Sequence, residues 1–257
     1  MSTEQPFDPL RWPEGVGRHV LAEVDSTNSE AARLAPDLTQ PTWVFAHRQT
    51  AARGRRGRAW IAPATNFGAT LVMRPAGAPA AAAQRSFVAA LALADALAAV
   101  SGPGVTITLK WPNDVLLNGG KVAGILLESA GQGEAVSHLA VGIGVNLAEA
   151  PPAAALEPGA HAPVSLLGET GIRIAPEDFL TPLAQAFDRW ERQLQTCGFA
   201  PIRSAWLARA ARIGQPITAR TVSETITGRF ETIAEDGALV LATPQGRRVI
   251  PAADVYF

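Results

Sequence analysis

Lys110-Trp111-Pro112-Asn113-Asp114-Val115-Leu116-Leu117-Asn118-Gly119-Gly120-Lys121-Val122-Ala123-Gly124-Ile125-Leu126-Leu127-Glu128 contains two apolar runs joined by Asn-Gly. That pairing is a strong hairpin signal, because Asn and Gly tolerate the positive φ a tight turn demands. Outward from it, Val105–Leu109 and His138–Val145 read as further strands beside Val115–Leu117 and Val122–Glu128. Successive strands joined by tight turns favour an antiparallel or mixed sheet over a doubly wound parallel one. Lys110, Asn113 and Asp114 end one run, and Lys121 sits on the turn into the next. Two cations, a carboxylate and close-approach glycines therefore surround a small space. That set suits a site handling a carboxylate and a nucleotide phosphate together.

Upstream, residues 1–18 are rich in Pro and Gly and read as surface chain. His19–Val24 reads as a strand, and Asp25-Ser26-Thr27-Asn28 offers N-caps for a helix over Ser29–Leu34. Trp43–Ala46 and Phe67–Met73 read as strands, and Ala80–Val100 as an alanine-rich helix stopped by Ser101-Gly102-Pro103-Gly104. Downstream, Ala148–Pro163 is an Ala/Pro linker, followed by helices over Pro176–Thr196 and Pro201–Arg212. From Gln215 the texture becomes short alternating runs: Ile217–Thr221, Thr225–Ile233, Ala238–Ala242 and Arg247–Ile250. These predict a small β-barrel that needs the main domain beside it for stability. The domain expectation is 1–212 for the main unit and 213–257 for the appended barrel.

The chain has 257 residues, 47% hydrophobic and 18% charged, with a formal net charge of -1. Nothing in that balance draws the whole molecule to nucleic acid or to an anionic membrane, so anion binding must come from local clusters. The single Cys197 excludes an internal disulfide framework and a cysteine zinc site. Met1–Pro13 lacks the apolar core of a signal peptide. Gln84, Arg85, Ser86 and Asp95 interrupt the apolar Ala80–Val100 stretch, which suits a buried helix rather than a membrane span. A cytoplasmic protein is expected.

The loop Gln49–Trp60 packs Arg53, Arg55, Arg56 and Arg58 around Gly54 and Gly57. Glycine lets backbone approach a ligand, and arginine supplies forked donors for carboxylate and phosphate. Alone, the loop reads equally as a solvated basic turn, or as a nucleic-acid contact. Mutual repulsion of the four charges predicts disorder until an anion arrives. Lys121 after Gly120 is not a P-loop, which needs Gly at 115 and Ser or Thr at 122, where Val115 and Val122 stand. Gly142-Ile143-Gly144-Val145-Asn146 lacks the third glycine of a dinucleotide fingerprint. It reads as a strand whose backbone lies against a ligand, or as a bulge. Asp114 is a candidate magnesium ligand, or a turn residue after Pro112-Asn113. The four histidines show no metal-ligand spacing.

Together Asp25–Asn28, Arg53–Arg58, Lys110–Asp114, Lys121–Leu126 and Gly142–Asn146 closely resemble the biotin protein ligase family, in its order and spacing. The resemblance implies an α+β fold: a central mixed sheet flanked by helices, as in class II aminoacyl-tRNA synthetases, plus a C-terminal SH3-like barrel. It implies ATP-dependent formation of biotinyl-5′-adenylate and transfer of biotin to a lysine of a biotin carboxyl carrier domain. ATP and biotin are then substrates, with Mg²⁺ as companion ion. By resemblance the catalytic residues are Lys121, Arg55 and Arg56. Biotin falls to Ser26, Thr27, Asn28, Gln49, Arg53, Gly54, Arg55, Lys121 and Gly124. ATP falls to Arg53, Arg55, Arg56, Arg58, Trp60, Asn113, Asp114 and Asn146, and the metal to Asp114. Ala52 departs from the family glycine that opens the loop, and its methyl is expected to restrict loop folding. Ser26 arrives after only 25 residues, too few for the winged-helix repressor domain many members carry. A monofunctional ligase that binds no operator DNA, as monomer or homodimer, is expected. A lipoate or octanoate enzyme on the same scaffold, and a non-enzymatic nucleotide- or nucleic-acid-binding module, are the alternatives.

Overall fold

The computed structural model describes residues 11–61, 63–132, 135–152 and 161–257. The start of the N-terminal surface chain and the middle of the Ala/Pro linker lie outside them. The central sheet has seven strands: β1 (Gly17–Val24), β2 (Thr42–Gln49), β3 (Phe67–Met73), β4 (Ile107–Lys110), β5 (Asp114–Leu117), β6 (Gly120–Gln132) and β7 (Ala135–Val145). Their spatial order is β1-β2-β3-β7-β6-β5-β4, with β1 and β2 parallel and the other pairs antiparallel. The sheet is mixed because one connection, through helix α1 (Thr27–Leu34), is long enough to return the chain in the same direction. Between β5 and β6, Asn118 and Gly119 take φ values of 49 and 87. Both turn residues are left-handed, as the Asn-Gly signal requires.

Alternation along the strands divides the sheet into two faces. Trp43, Phe45, Phe67, Ala69, Leu71, Val141 and Ile143 join a large buried cluster with helices α3 (Arg85–Ser101) and α5 (Pro176–Cys197). Val44, Val72 and Ala140 face the other way, against Ala31 of α1 and Ala35, which caps its C-terminal end. The most apolar 18-residue window of the stretch Pro79–Ser101 has a mean hydropathy of 1.4, and 61% of it is buried. Length and composition alone would let it span a bilayer; its packing is that of a core helix. It is broken at Gln84 into α2 (Pro79–Ala83) and α3, and Arg85 at the break forms a buried pair with Glu191 at 2.7 Å.

Three local expectations are revised. A short helix, α4 (Leu166–Thr170), was not legible in the sequence; Ser165 caps it by accepting from Gly168 N at 3.1 Å. Helix α6 (Phe199–Leu207) stops before Arg212, because residues 209–211 leave the helix to pair with β4 (Leu109 N to Arg209 O and Ala211 N to Leu109 O, both 2.8 Å). The C-terminal strands β8 (Pro216–Arg220), β9 (Thr225–Ile233), β10 (Leu239–Thr243) and β11 (Gly246–Ile250) gain an unforeseen fifth, β12 (Asp254–Tyr256). They form an antiparallel sheet in the order β11-β10-β9-β8-β12, open between its two edge strands rather than closed into a barrel.

This second sheet shares the buried cluster of the first and is tied to it by Trp111, whose indole N–H donates to Gly237 O at 3.0 Å. Trp111 is 4% exposed. Replacing it with phenylalanine keeps most of the packing but leaves that carbonyl unpaired, a loss of about 1–3 kcal/mol. The urea midpoint should fall accordingly, and an unchanged midpoint would rule out the tie as a source of stability.

Candidate active site

Strand register builds the floor of the site. Lys110 on β4 lies opposite Asp114 on β5, Asp114 opposite Gly124 on β6, Gly124 opposite Gly144 on β7, and Gly144 opposite Gly68 on β3. One transverse row across five strands thus runs from a cation through a carboxylate to three glycines. In the next row Thr70, Gly142 and Leu126 are in register. Where the glycines remove Cβ atoms, side chains from elsewhere lie down on the strands. A Cβ on Gly68 would overlap the Gln49 amide, one on Gly142 the Asn28 amide, and one on Gly144 the Trp60 indole at 2.5 Å. Glycine here serves close approach rather than turn formation.

The register also explains Lys121. Pairing shifts between Val115 and Leu116, so that Val115 faces Ala123 while Leu116 faces Lys121. The extra residue, Val122, is a bulge that re-aims Lys121 onto the same face as Gly124. Lys121 Nζ then lies 2.6 Å from Asp114 Oδ1, while Lys110 Nζ lies 3.8 Å from Oδ2 of the same carboxylate. Val122 itself turns into the core.

Helix α1 starts earlier than the sequence implies, with Ser26 as N-cap and no cap bond from its hydroxyl. Thr27 and Asn28 therefore occupy the first turn, and all three are at most 5% exposed. Gln49 Oε1 accepts from Thr27 N at 2.8 Å. Thr70 Oγ1 donates to Asn28 Oδ1 at 2.6 Å, and Asn28 Nδ2 donates to Glu128 at 2.7 Å. These groups make a polar, pre-ordered end of the site with both donors and acceptors.

The arginine loop is docked, not disordered, because resident carboxylates offset its repulsion. Arg53 forks onto Glu128 (3.2 and 2.9 Å) and donates to Ser29 Oγ at 2.8 Å. Asp254 on β12 lies 3.6 Å from Arg55, 2.7 Å from Arg56 and 3.3 Å from Arg58. Arg56 adopts a φ of 57 within a short 3-10 turn (Arg55–Gly57). Ala52 is not among the positive-φ residues, so its methyl introduces no backbone strain. Neutralising the latch with Asp254→Asn should speed tryptic cleavage at Arg55, Arg56 and Arg58 in the ligand-free protein. Equal cleavage rates for variant and wild type would show that Asp254 does not hold the loop.

Ser26, Thr27, Asn28, Gln49, Arg53, Gly54, Arg55, Arg58, Trp60, Asn113, Asp114, Lys121, Gly124 and Asn146 all line one cavity of about 600 Å³. Arg56 is the sequence-predicted residue that does not line it; it is exposed and turned to Asp254. Asn113 spends its amide on Ile125 O (2.6 Å) and on Arg55 Nη1 (3.3 Å), which makes it a brace between loop and sheet. Sequence reading missed Gly68, Asp254 and His161 in the cavity lining, and Thr70 and Glu128 beneath it. Burial, with the Lys110 ammonium as the next cause, holds the His161 imidazole down at about 4. It is therefore neutral at physiological pH. Trp60 Nε1, Asn146 Oδ1 and His161 Nε2 are buried without a hydrogen-bond partner among the described residues. Orphans gathered in one cavity mark a place where a polar ligand belongs.

The magnesium expectation at Asp114 does not fit this donor set. The carboxylate is flanked by two ammonium groups, one on each of its oxygens. A dication there would have to displace Lys121.

Residues 20–146 match the biotin/lipoate A/B protein ligase family, and residues 213–257 match the biotin protein ligase C terminal domain. Over 238 residues the chain is 63% identical to a biotin--[acetyl-CoA-carboxylase] ligase of Paracoccus denitrificans, covering 93% of this chain and 99% of that protein. The chain belongs to the biotin protein ligase family. It is also 32% identical to the bifunctional ligase/repressor BirA of Bacillus subtilis, over 94% of this chain and 75% of that one. Among solved structures, biotin protein ligase from Aquifex aeolicus in complex with biotin and ATP superposes with a TM-score of 0.79 at 24% identity, covering 93% and 98% of the two chains. That likeness speaks for the biotin ligase fold: a mixed sheet with helices on it and an antiparallel C-terminal sheet.

Proposed function

We propose that this chain activates biotin with ATP and passes it to a carrier lysine. In the first step a biotin carboxylate oxygen forms a bond to the α-phosphorus. The bond from that phosphorus to the bridging oxygen breaks, and pyrophosphate leaves with the electron pair. In the second step the unprotonated amine of one lysine on a biotin carboxyl carrier domain attacks the mixed anhydride. The C–N bond forms, AMP departs, and the amine loses a proton.

The observation that carries this reading is Lys121 held by Asp114 between two unlike ends of one cavity, an amide-and-hydroxyl end and an arginine end. A carboxylate and a polyphosphate repel each other, so a cation must stand where they meet. Lys121 supplies it, with Arg55 and Arg56 gathering the phosphates once Asp254 yields them. Ser26, Thr27, Asn28 and Gln49 offer the ureido ring the paired donors and acceptors that a buried urea needs, with Arg53, Gly54 and Gly124 beside them. Trp60, Arg58 and Asn146 serve the nucleotide end, where the unpaired indole N–H and amide oxygen are in place for a base. Asn113 acts there through Arg55, and Asp114 through Lys121. Magnesium enters with the nucleotide as part of that substrate. Residues 1–212 carry this chemistry, and 213–257 form the module that contributes Asp254. No operator DNA enters this reading.

Exchange of labelled pyrophosphate into ATP, run with biotin and with lipoate, tests it. Exchange with biotin alone supports the reading. Exchange with lipoate alone moves the chain to the lipoate branch of its family, and none with either acid removes the adenylation step.

A further inference from the structure

We infer that Lys110 is a positioning residue that releases Lys121 to the substrate by taking over the charge of Asp114. The inference rests on the function proposed above, and Lys110 has no part in that scheme. Lys110 is 8% exposed, and its position is fixed by register: it is the ladder partner of Asp114 across the β4–β5 hairpin. Its ammonium lies 5.5 Å from the centre of the Phe257 ring, and the His161 ring packs against that same ring at 4.5 Å. Among the described residues the one carboxylate within ion-pair reach of it is Asp114, at 3.8 Å, and Asp114 is already engaged by Lys121 at 2.6 Å. A buried cation is costly without an anion of its own. Burial accordingly draws Lys110 below the usual lysine range, with Asp114 opposing.

Three charges in a line, cation–anion–cation, make an exchangeable pair. While no substrate is bound, Asp114 occupies Lys121. When the biotin carboxylate takes Lys121, Asp114 would be left as a bare negative charge beside that carboxylate and the polyphosphate. Lys110, on the other carboxylate oxygen, receives it. The bound row then alternates in sign, with biotin carboxylate, Lys121, Asp114 and Lys110 summing to zero. Without Lys110 two carboxylates would share one lysine, and the first step would begin from a net negative site. Lys110 lines the same cavity, but the effect inferred here runs through Asp114, and a cycle with Asp114 separates that route from direct contact with substrate.

A double-mutant cycle tests this. Lys110→Met keeps the stem volume and removes the charge, and Asp114 retains Lys121 as its partner, which limits the cost of an uncompensated buried carboxylate. The variants Lys110→Met, Asp114→Asn and their combination are compared with wild type in biotin-dependent pyrophosphate exchange, with thermal unfolding followed alongside. Lys110→Met is expected to raise the KM for biotin at least about ten-fold, and Lys110→Arg to restore most of the loss. In the Asp114→Asn background, where no charge needs relief, Lys110→Met should cost less than about two-fold. Equal costs in both backgrounds would overturn the inference, because Lys110 would then act directly on the substrate or only on the fold. An unchanged KM in Lys110→Met would overturn it as well. Absence of exchange in the wild type would remove the proposed function itself, and the inference with it.

Discussion

Replacing Lys121 with alanine should lower biotin-dependent pyrophosphate exchange by about 10²–10³-fold, the usual cost of deleting one electrostatic contact aimed at a developing charge. Three features of the site argue for so large an effect. Lys121 is placed by a bulge, and the next β6 position on its face is Gly124, which has no side chain to replace it. Its loss also leaves Asp114, which accepts from it at 2.6 Å, paired among the described residues with Lys110 alone, so the cation facing the substrate is gone while the carboxylate stays. The remaining cations are committed elsewhere, Lys110 to Asp114, Arg53 to Glu128, and Arg55, Arg56 and Arg58 to Asp254. If Lys121 acts mainly in the transition state, kcat and kcat/KM fall together; a rise in KM alone would make it a ground-state binding group. The side chain is 30% exposed, so folding should be little affected. Lys121→Arg is not expected to rescue, because a forked guanidinium does not replace a point charge held by one carboxylate oxygen. Activity within a few-fold of wild type in Lys121→Ala would move the catalytic cation to another residue.

Much of this site could be read from sequence because its parts are local. The Asn118-Gly119 turn sets β5 against β6, and that pairing brings Asp114 to Lys121 without any distant contact. Phe67–Met73 was legible to the residue as a short buried run stopped by Pro75, and Thr225–Ile233 as an alternating run followed by a turn. What escaped depends on register between distant strands. Gly68 is unremarkable inside an apolar run until β3 is laid beside β7. Thr70 and Glu128 gain meaning only when α1 is folded over them. Asp254 had no local signal at all, since three residues of edge strand near the chain end carry little periodicity. It nevertheless pairs with three of the loop's four arginines. Reading the loop alone led to disorder from repulsion; the compensating carboxylate lies 196 residues from Arg58 in sequence. Helix α4 was missed for the same reason that short helices usually are, being too brief to show a period.

The glycine rows separate the two ends of the cavity, and single methyl groups should report on them selectively. Neither Gly142 nor Gly144 has a positive φ, so alanine fits the backbone at both and any cost is steric. At Gly142 the new methyl would overlap the Asn28 amide, closer than 3.0 Å to its Oδ1 and Cγ. Asn28 is 5% exposed and tied to Thr70 and Glu128, so it cannot step aside without breaking the polar end of the site. Overpacking of this kind costs about 1–3 kcal/mol. Expressed in ligand binding, that weakens biotin about 10- to 100-fold, while the KM for ATP should stay within about three-fold if the ends are independent. At Gly144 the methyl meets the Trp60 indole at 2.5–2.8 Å. Trp60 belongs to the arginine loop, so the displacement should raise the KM for ATP more than it weakens biotin. Calorimetric titration of biotin, together with ATP saturation curves for Gly142→Ala and Gly144→Ala, gives four numbers whose pattern is the test. Opposite selectivity in the two variants would locate biotin over Gly142 and the nucleotide over Gly144. Equal losses of both ligands in both variants would mean that the rows carry packing alone, and the division of the cavity would have to be abandoned.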